Sequence, residues 1–119
     1  MVKVDSLAIG FKTGSNYSNV IDNVSFYIKP IEILGVVGES GSGKSVTSLA
    51  IAGLLPKDIS KIASGDILFQ EKSLLNNSEK DWQLIRGNEI AMIFQEPMSA
   101  LNPSMTCGKQ VQEILQQHL

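Results

Sequence analysis

The chain is poor in cysteine, in charge of one sign and in long apolar runs, and each shortage removes a class of protein. Its one cysteine, Cys107, leaves no partner for an internal disulfide and fits a reducing compartment. A small side chain near a helix start is all that its setting asks for. Ten Lys+Arg against twelve Asp+Glu give a formal net charge of −2, so there is no overall basic field for nucleic acid or an anionic membrane. The lysines are scattered and form no polybasic patch. No apolar stretch approaches the ~20 residues that a bilayer crossing needs. The longest, Ile31 to Val37, is broken by Glu32. Met1-Val2-Lys3-Val4-Asp5 opens no apolar h-region and leads to no cleavage-type site, so no signal peptide is expected. Internal repeats and low-complexity tracts are missing as well. The expectation is a soluble, cytosolic chain that does not bind nucleic acid.

What is present suits one small domain: 119 residues, 43% of them hydrophobic, enough for a packed core. Val2, Val4, Leu7, Ile9 and Phe11 alternate with polar or small residues across a local shift, as in a half-buried strand. Thr13-Gly14-Ser15-Asn16 reads as a loop, and Val20 to Ile28 resumes strand character. An antiparallel hairpin with a fairly long connection is therefore expected. Ile33-Leu34-Gly35-Val36-Val37 is nearly continuous in apolar residues and predicts a central strand buried on both faces. Helical spacing follows through Val46, Leu49, Ala50, Gly53 and Leu54 until Pro56 stops it. Lys57 to Ser64 reads as a polar connection and Asp66 to Phe69 as a short strand. Ser78-Glu79-Lys80-Asp81 resembles a capping box ahead of a helix that Gly87 ends. Ile90 to Phe94 is a second buried-strand candidate, Pro97 to Pro103 a loop, and Gly108 to Leu119 a helix with Val111, Ile114 and Leu115 on one face. That helix runs to the last residue without a capping signal, so the chain is expected to be cut off.

Gly38-Glu39-Ser40-Gly41-Ser42-Gly43-Lys44-Ser45 satisfies G-x-x-x-x-G-K-[ST] between a strand candidate and a helix candidate. Each fixed choice has a chemical reason. The tail of ATP carries several negative charges and needs many donors close together. Gly38, Gly41 and Gly43 let the backbone curl into a ring of inward N–H groups. The helix that follows adds free N–H groups and the positive end of its dipole. Lys44 supplies a point charge to the β- and γ-phosphates, and the Ser45 hydroxyl is the expected Mg²⁺ ligand. Kinases, GTPases and transport ATPases share such a loop, so it does not name a reaction.

The hairpin before the loop strand, the loop itself, and Met92-Ile93-Phe94-Gln95-Glu96-Pro97-Met98-Ser99-Ala100-Leu101-Asn102-Pro103 together resemble the ATP-binding-cassette (ABC) ATPases. The likeness covers essentially the whole chain. Its loop and Phe94–Pro103 blocks are most similar to the oligopeptide/dipeptide/nickel importer branch. The resemblance implies an α/β P-loop NTPase fold of ABC type: an N-terminal antiparallel β subdomain plus the start of a parallel core sheet, with residues 1–119 as the N-terminal part of one ATPase domain. It implies ATP and Mg²⁺ as ligands. It makes Gln95 the Q-loop glutamine that reaches the Mg²⁺ and the attacking water, and Glu96 to Pro103 the contact with transmembrane permease subunits. An aromatic at the end of the first strand stacks on adenine in the family; Phe11 stands there, with Tyr17 a second candidate. A second ATPase subunit, homo- or heterodimeric, and a peripheral place on the cytosolic membrane face are further implications.

Two departures matter. Ile31, in Lys29-Pro30-Ile31-Glu32, stands where relatives place a turn glycine, so the turn must change shape or be strained. The Leu-Ser-Gly-Gly-Gln-type signature, the Walker B Asp-Glu pair and the switch histidine are not in these residues, and His118 comes too early to be the last of them. Two main readings follow: an ATPase subunit fragment of a peptide-type importer that retains ATP binding, or a non-catalytic truncated remnant. A small P-loop kinase is disfavoured by the Gln95 block and the N-terminal hairpin.

Overall fold

The computed structural model describes residues 1–119, the side chain of Pro97 excepted. The chain divides into two compact units, Met1–Asn77 and Ser78–Leu119, each taken by itself.

In the first unit, β1 (Val2–Thr13) is central. It pairs antiparallel with β2 (Asn16–Ile28) on one side and with β3 (Ser60–Phe69) on the other. A two-residue strand β4 (Lys72–Ser73) completes the order β2-β1-β3-β4. The central place of β1 explains the continuous burial of Leu7 to Gly10, where period-2 alternation would bury every other residue. Val4, Leu7, Ile9 and Ile67 are the largest fully buried side chains of the core. The local shift in the sequence pattern is real. Ser6 has φ 49° and the register slips between Val4 and Leu7. The bulge frees the Ser6 N–H from the ladder, and Ser25 Oγ accepts it at 2.8 Å. Gly65 of β3 crosses this bulge with φ +84°, and a Cβ there would collide with the Ser6 and Asp5 carbonyls.

Several expectations are corrected. The hairpin connection is short: Thr13 pairs with Asn16, leaving Gly14 and Ser15 as a two-residue turn. Gly14 takes φ 66° at the first central position, as II′-type hairpins require. Residues 60–64 are strand, paired along β1, with Ser60 buried, Ile62 half-buried and Lys61, Ala63 and Ser64 exposed, as an antiparallel strand with one solvated face allows. Helix α1 (Lys44–Ile51) ends before Pro56. Leu54 N–H donates to Leu49 C=O at 2.8 Å and Gly53 N–H to Ala50 C=O at 3.1 Å, the Schellman pair of bonds around Gly53 at φ 66°.

Residues 33–37 belong to no strand, and Ile33 and Val37 are 99% and 94% exposed. A strand exists only through its ladder, and among the described residues no other strand pairs with this run. Ile31 keeps the turn by accepting φ 61° behind Pro30. Lys29 C=O receives the Glu32 N–H at 3.3 Å, and Glu32 Oε2 accepts the Lys29 N–H at 2.7 Å.

The second unit contains α2 (Glu79–Ile85), α3 (Pro97–Ala100) and α4 (Cys107–His118). The capping box is formed: Asp81 N–H donates to Ser78 Oγ at 3.3 Å and Ser78 N–H to Asp81 Oδ2 at 2.7 Å. Trp82 is the buried residue of α2, with the Arg86 guanidinium carbon 4.9 Å from its ring centroid. The expected strand at 90–94 is reduced to one parallel bridge, Ile90 to Arg86. Ile93 is 96% exposed for want of a partner strand among the described residues. The expected Pro97–Pro103 loop begins with one helical turn, because proline is at home in a first turn where its missing N–H is not needed. On α4, Val111, Ile114 and Leu115 share a face as expected, and that face is exposed.

Candidate functional site

The loop at residues 38–45 folds around its own lysine. Ser42 N–H turns back to Glu39 C=O at 3.1 Å, and Gly41 takes φ +83°. Gly43 is the N-cap of α1, left-handed at φ 92°, ψ 10°, and buried. It needs to be glycine twice over. Its φ disfavours any side chain, and a Cβ would stand 2.9 Å from Ile21 Cγ1 of β2. No side chain caps α1, so the positive end of the helix meets solvent with its first amides unclaimed by a cap. Lys44 Nζ donates to Gly38 C=O at 2.6 Å, Glu39 C=O at 2.8 Å and Ser42 Oγ at 3.2 Å. The ammonium group is thus held at the mouth of the loop by oxygens alone. These bonds are exposed, so an anion with stronger oxygens could replace them without a burial cost.

Two further hydroxyls fix the first turn: Thr47 Oγ1 donates to Gly43 C=O at 2.9 Å, buried, and Ser48 Oγ to Lys44 C=O at 3.2 Å. Ser45, between them, is exposed, and its hydroxyl has no partner among the described residues. Beside the loop lies a hollow of about 330 Å³ lined by Val20, Ile21, Val24, Val36, Val37 and Lys44. Asp22 also reaches it. Residue periodicity carries no hint of this wall, since it forms only when β2 lies against the loop.

Phe11 pairs with Ser18 and Ser60 and is half-buried. It follows Ile9 by two residues with no slip on the β3 side, so both share a face. Ile9 pairs with Ile21, which carries that face to Gly43. Tyr17 pairs with Lys12, on the opposite face, and Lys61 Nζ sits 4.2 Å from its ring centroid. Of the two aromatics, Phe11 alone shares the face of the loop, although it does not line the hollow.

Gln95 belongs to the second unit. It is exposed and lies with Phe94, Glu96, Ser99 and Ala100 in an open depression of about 490 Å³. Its carboxamide has no partner among the described residues, so both of its ends remain available. Ser99 Oγ donates to Glu96 C=O at 3.0 Å and closes the single turn of α3. Among the described residues no group of three or more His, Cys, Asp or Glu could hold a metal ion.

A family model described as ABC transporter matches residues 21–118. The chain belongs to the ABC transporter family. Within this family it is 49% identical over 118 residues to the oligopeptide transport ATP-binding protein OppD of Bacillus subtilis, covering 99% of this chain and 33% of that protein. It is 46% identical to the dipeptide transport ATP-binding protein DppD of Lactococcus lactis, covering 99% and 34%. The ABC chain thus spans about a third of the length of these relatives. Among solved structures it superimposes on the dimeric structure of MJ0796, a bacterial ABC transporter cassette, with a TM-score of 0.81 and 26% identity over 97% of this chain and 47% of that one. A post-hydrolysis dimer of the MJ0796 cassette with ADP and Pi, at TM-score 0.69 and 22% identity, has the same fold. The ABC fold class expected from the sequence is therefore shown, with its antiparallel β subdomain formed, whereas of the parallel core sheet the described residues form only the Arg86–Ile90 bridge. No helix of the described residues is long and apolar enough to cross a membrane.

Proposed function

We propose that this chain is the nucleotide-binding part of an ATP-binding subunit from a peptide- or nickel-type ABC importer, in which Gly38, Glu39, Ser40, Gly41, Ser42, Gly43, Lys44 and Ser45 hold the phosphates of ATP. The observation that carries the reading is the Lys44 ammonium at the mouth of a glycine-bent loop that caps an otherwise uncapped helix. Main-chain amides and the helix dipole favour anionic oxygen there, and Lys44 adds a full charge. Likeness to named oligopeptide and dipeptide transport ATP-binding proteins supports the branch. Ser45, whose hydroxyl is unengaged, is the residue to hold Mg²⁺ beside the phosphates; Gln95, as the Q-loop glutamine of the family resemblance, is proposed as a further Mg²⁺ ligand in the whole protein. When bound, the ion neutralises charge on the β- and γ-oxygens. Phe11 is the residue proposed to stack on adenine.

In the whole protein we assign ATP hydrolysis coupled to import, a second ATPase subunit, and permease subunits met through Glu96 to Pro103 at the cytosolic face of the membrane. These 119 residues alone are expected to bind without appreciable turnover, because they offer no carboxylate pair of Walker B type to activate water. Titration with Mg·ATP tests the site. Wild type should bind, and Lys44→Ala should weaken binding by at least on the order of tenfold, the loss of one charge-assisted contact. Equal affinity of the two would defeat the reading, and steady phosphate release at the rate of a complete ATPase would defeat its second half.

A further inference from the structure

The segment after α3 is shaped by one side chain of α4. Gln110 is half-buried, whereas Gln112, Gln116 and Gln117 on the same helix are exposed. Its Oε1 accepts the Asn102 N–H at 2.9 Å, and its Nε2 donates to the Asn102 C=O at 3.0 Å. One carboxamide thus meets both main-chain groups of one residue, as a neighbouring strand would. The remaining Nε2 proton goes to Met105 C=O at 3.1 Å. Asn102 passes the order on: its Oδ1 accepts the Ser104 N–H at 3.0 Å and the Ser104 hydroxyl at 2.7 Å. Both donors of Gln110 are engaged, and only glutamine combines this reach with two donors and an acceptor. Glutamate lacks the donors and methionine lacks all three bonds. Just ahead of the turn, Met98 and Leu101 are 89% and 51% exposed.

We propose that Gln110 is a positioning residue that fastens the 102–105 turn to α4, so that the segment offering Met98 and Leu101 moves with the helix. The functional weight of this latch rests on the reading of Glu96 to Pro103 as the partner-facing segment. The latch itself is tested with neither nucleotide nor permease, so either can fail without the other.

The test is ¹⁵N NMR hydrogen exchange on the full chain. In wild type, the Gln110 side-chain amide should exchange more slowly than those of Gln112, Gln116 and Gln117. In Gln110→Met and Gln110→Glu at neutral pH, protection of the Ser104 amide, which Gln110 does not touch, should fall on the order of tenfold, the worth of about one hydrogen bond. The interior amides of α4 should be unchanged. The two variants then part: protonating the new carboxyl below about pH 4.3 restores a donor, so Gln110→Glu should recover wild-type shifts at Asn102 and Ser104, and Gln110→Met should not. Wild-type protection of Ser104 in both variants, or identical pH behaviour of the two, overturns the proposal. Should both variants unravel α4, the wild-type comparison decides, and a Gln110 amide exchanging as fast as Gln112 sinks it.

Discussion

At the scale of single residues, Ile31 and Lys44 show how a side chain can be at odds with its backbone or complete it. Ile31 holds φ 61° at the second central position of the Lys29–Glu32 turn, fully exposed, with no packing to offset the strain. Left-handed backbone costs a β-branched residue about 1–3 kcal/mol, and glycine would return ~0.5–1 kcal/mol of that as unfolded-chain entropy. Ile31→Gly should therefore stabilise the chain by about 1 kcal/mol, read as a higher urea midpoint at constant slope. A lower midpoint would mean that the turn is not strained. Strain was one of two outcomes legible beforehand, because the family resemblance puts a turn glycine where Ile31 stands; the turn keeps its shape and the backbone takes the strain. The lysine's partners were not legible. That Lys44 would bind Gly38 and Glu39 carbonyls depends on how the loop curls back, and spacing alone cannot carry that.

At the scale of elements, local chemistry predicted well and pairing predicted poorly. The capping box of α2 was readable from Ser78 and Asp81, since both groups lie within one turn. The Ser78 hydroxyl and then its N–H hold the Asp81 carboxyl below its ordinary 3.8. A depressed folded pKa means that the cap's stabilisation is complete above pH 3.8 and is lost as pH falls through the lower folded value. The ¹³C shift of the Asp81 carboxyl should accordingly titrate below 3.8, with the amide shifts of α2 following it. Titration at or above that value would deny the box. The end of α1 at Gly53 was misread because proline is a conspicuous stop, whereas a Schellman end is a geometry that any nearby glycine can adopt. Residues 33–37 and 90–94 have the composition of buried strands, but composition cannot supply the partner on which a strand depends.

At the scale of the molecule, the phosphate loop was legible because phosphate binding constrains residue type at fixed spacing. The family became legible when the N-terminal hairpin and the Met92–Pro103 block were read beside that loop; the loop and that block are the two sequence blocks. The matched region, 21–118, contains both. The uncovered apolar segments have a physical consequence. Ile33 is 99% exposed in an unpaired run, so Ile33→Lys should leave the unfolding free energy within about 0.5 kcal/mol of wild type. The same change should reduce concentration-dependent association, measured by sedimentation velocity. A large loss of stability instead would show that Ile33 is packed in solution. The central claim is that backbone amides between Gly41 and Ser45 enclose a polyphosphate. An NMR titration of the chain with Mg·ATP addresses it most directly. The amides of Gly41, Ser42, Gly43, Lys44 and Ser45 should show the largest shifts, reproduced by inorganic triphosphate and absent in Lys44→Ala. Saturating Mg·ATP that leaves those amides unmoved, or moves only residues remote from the loop, would contradict it.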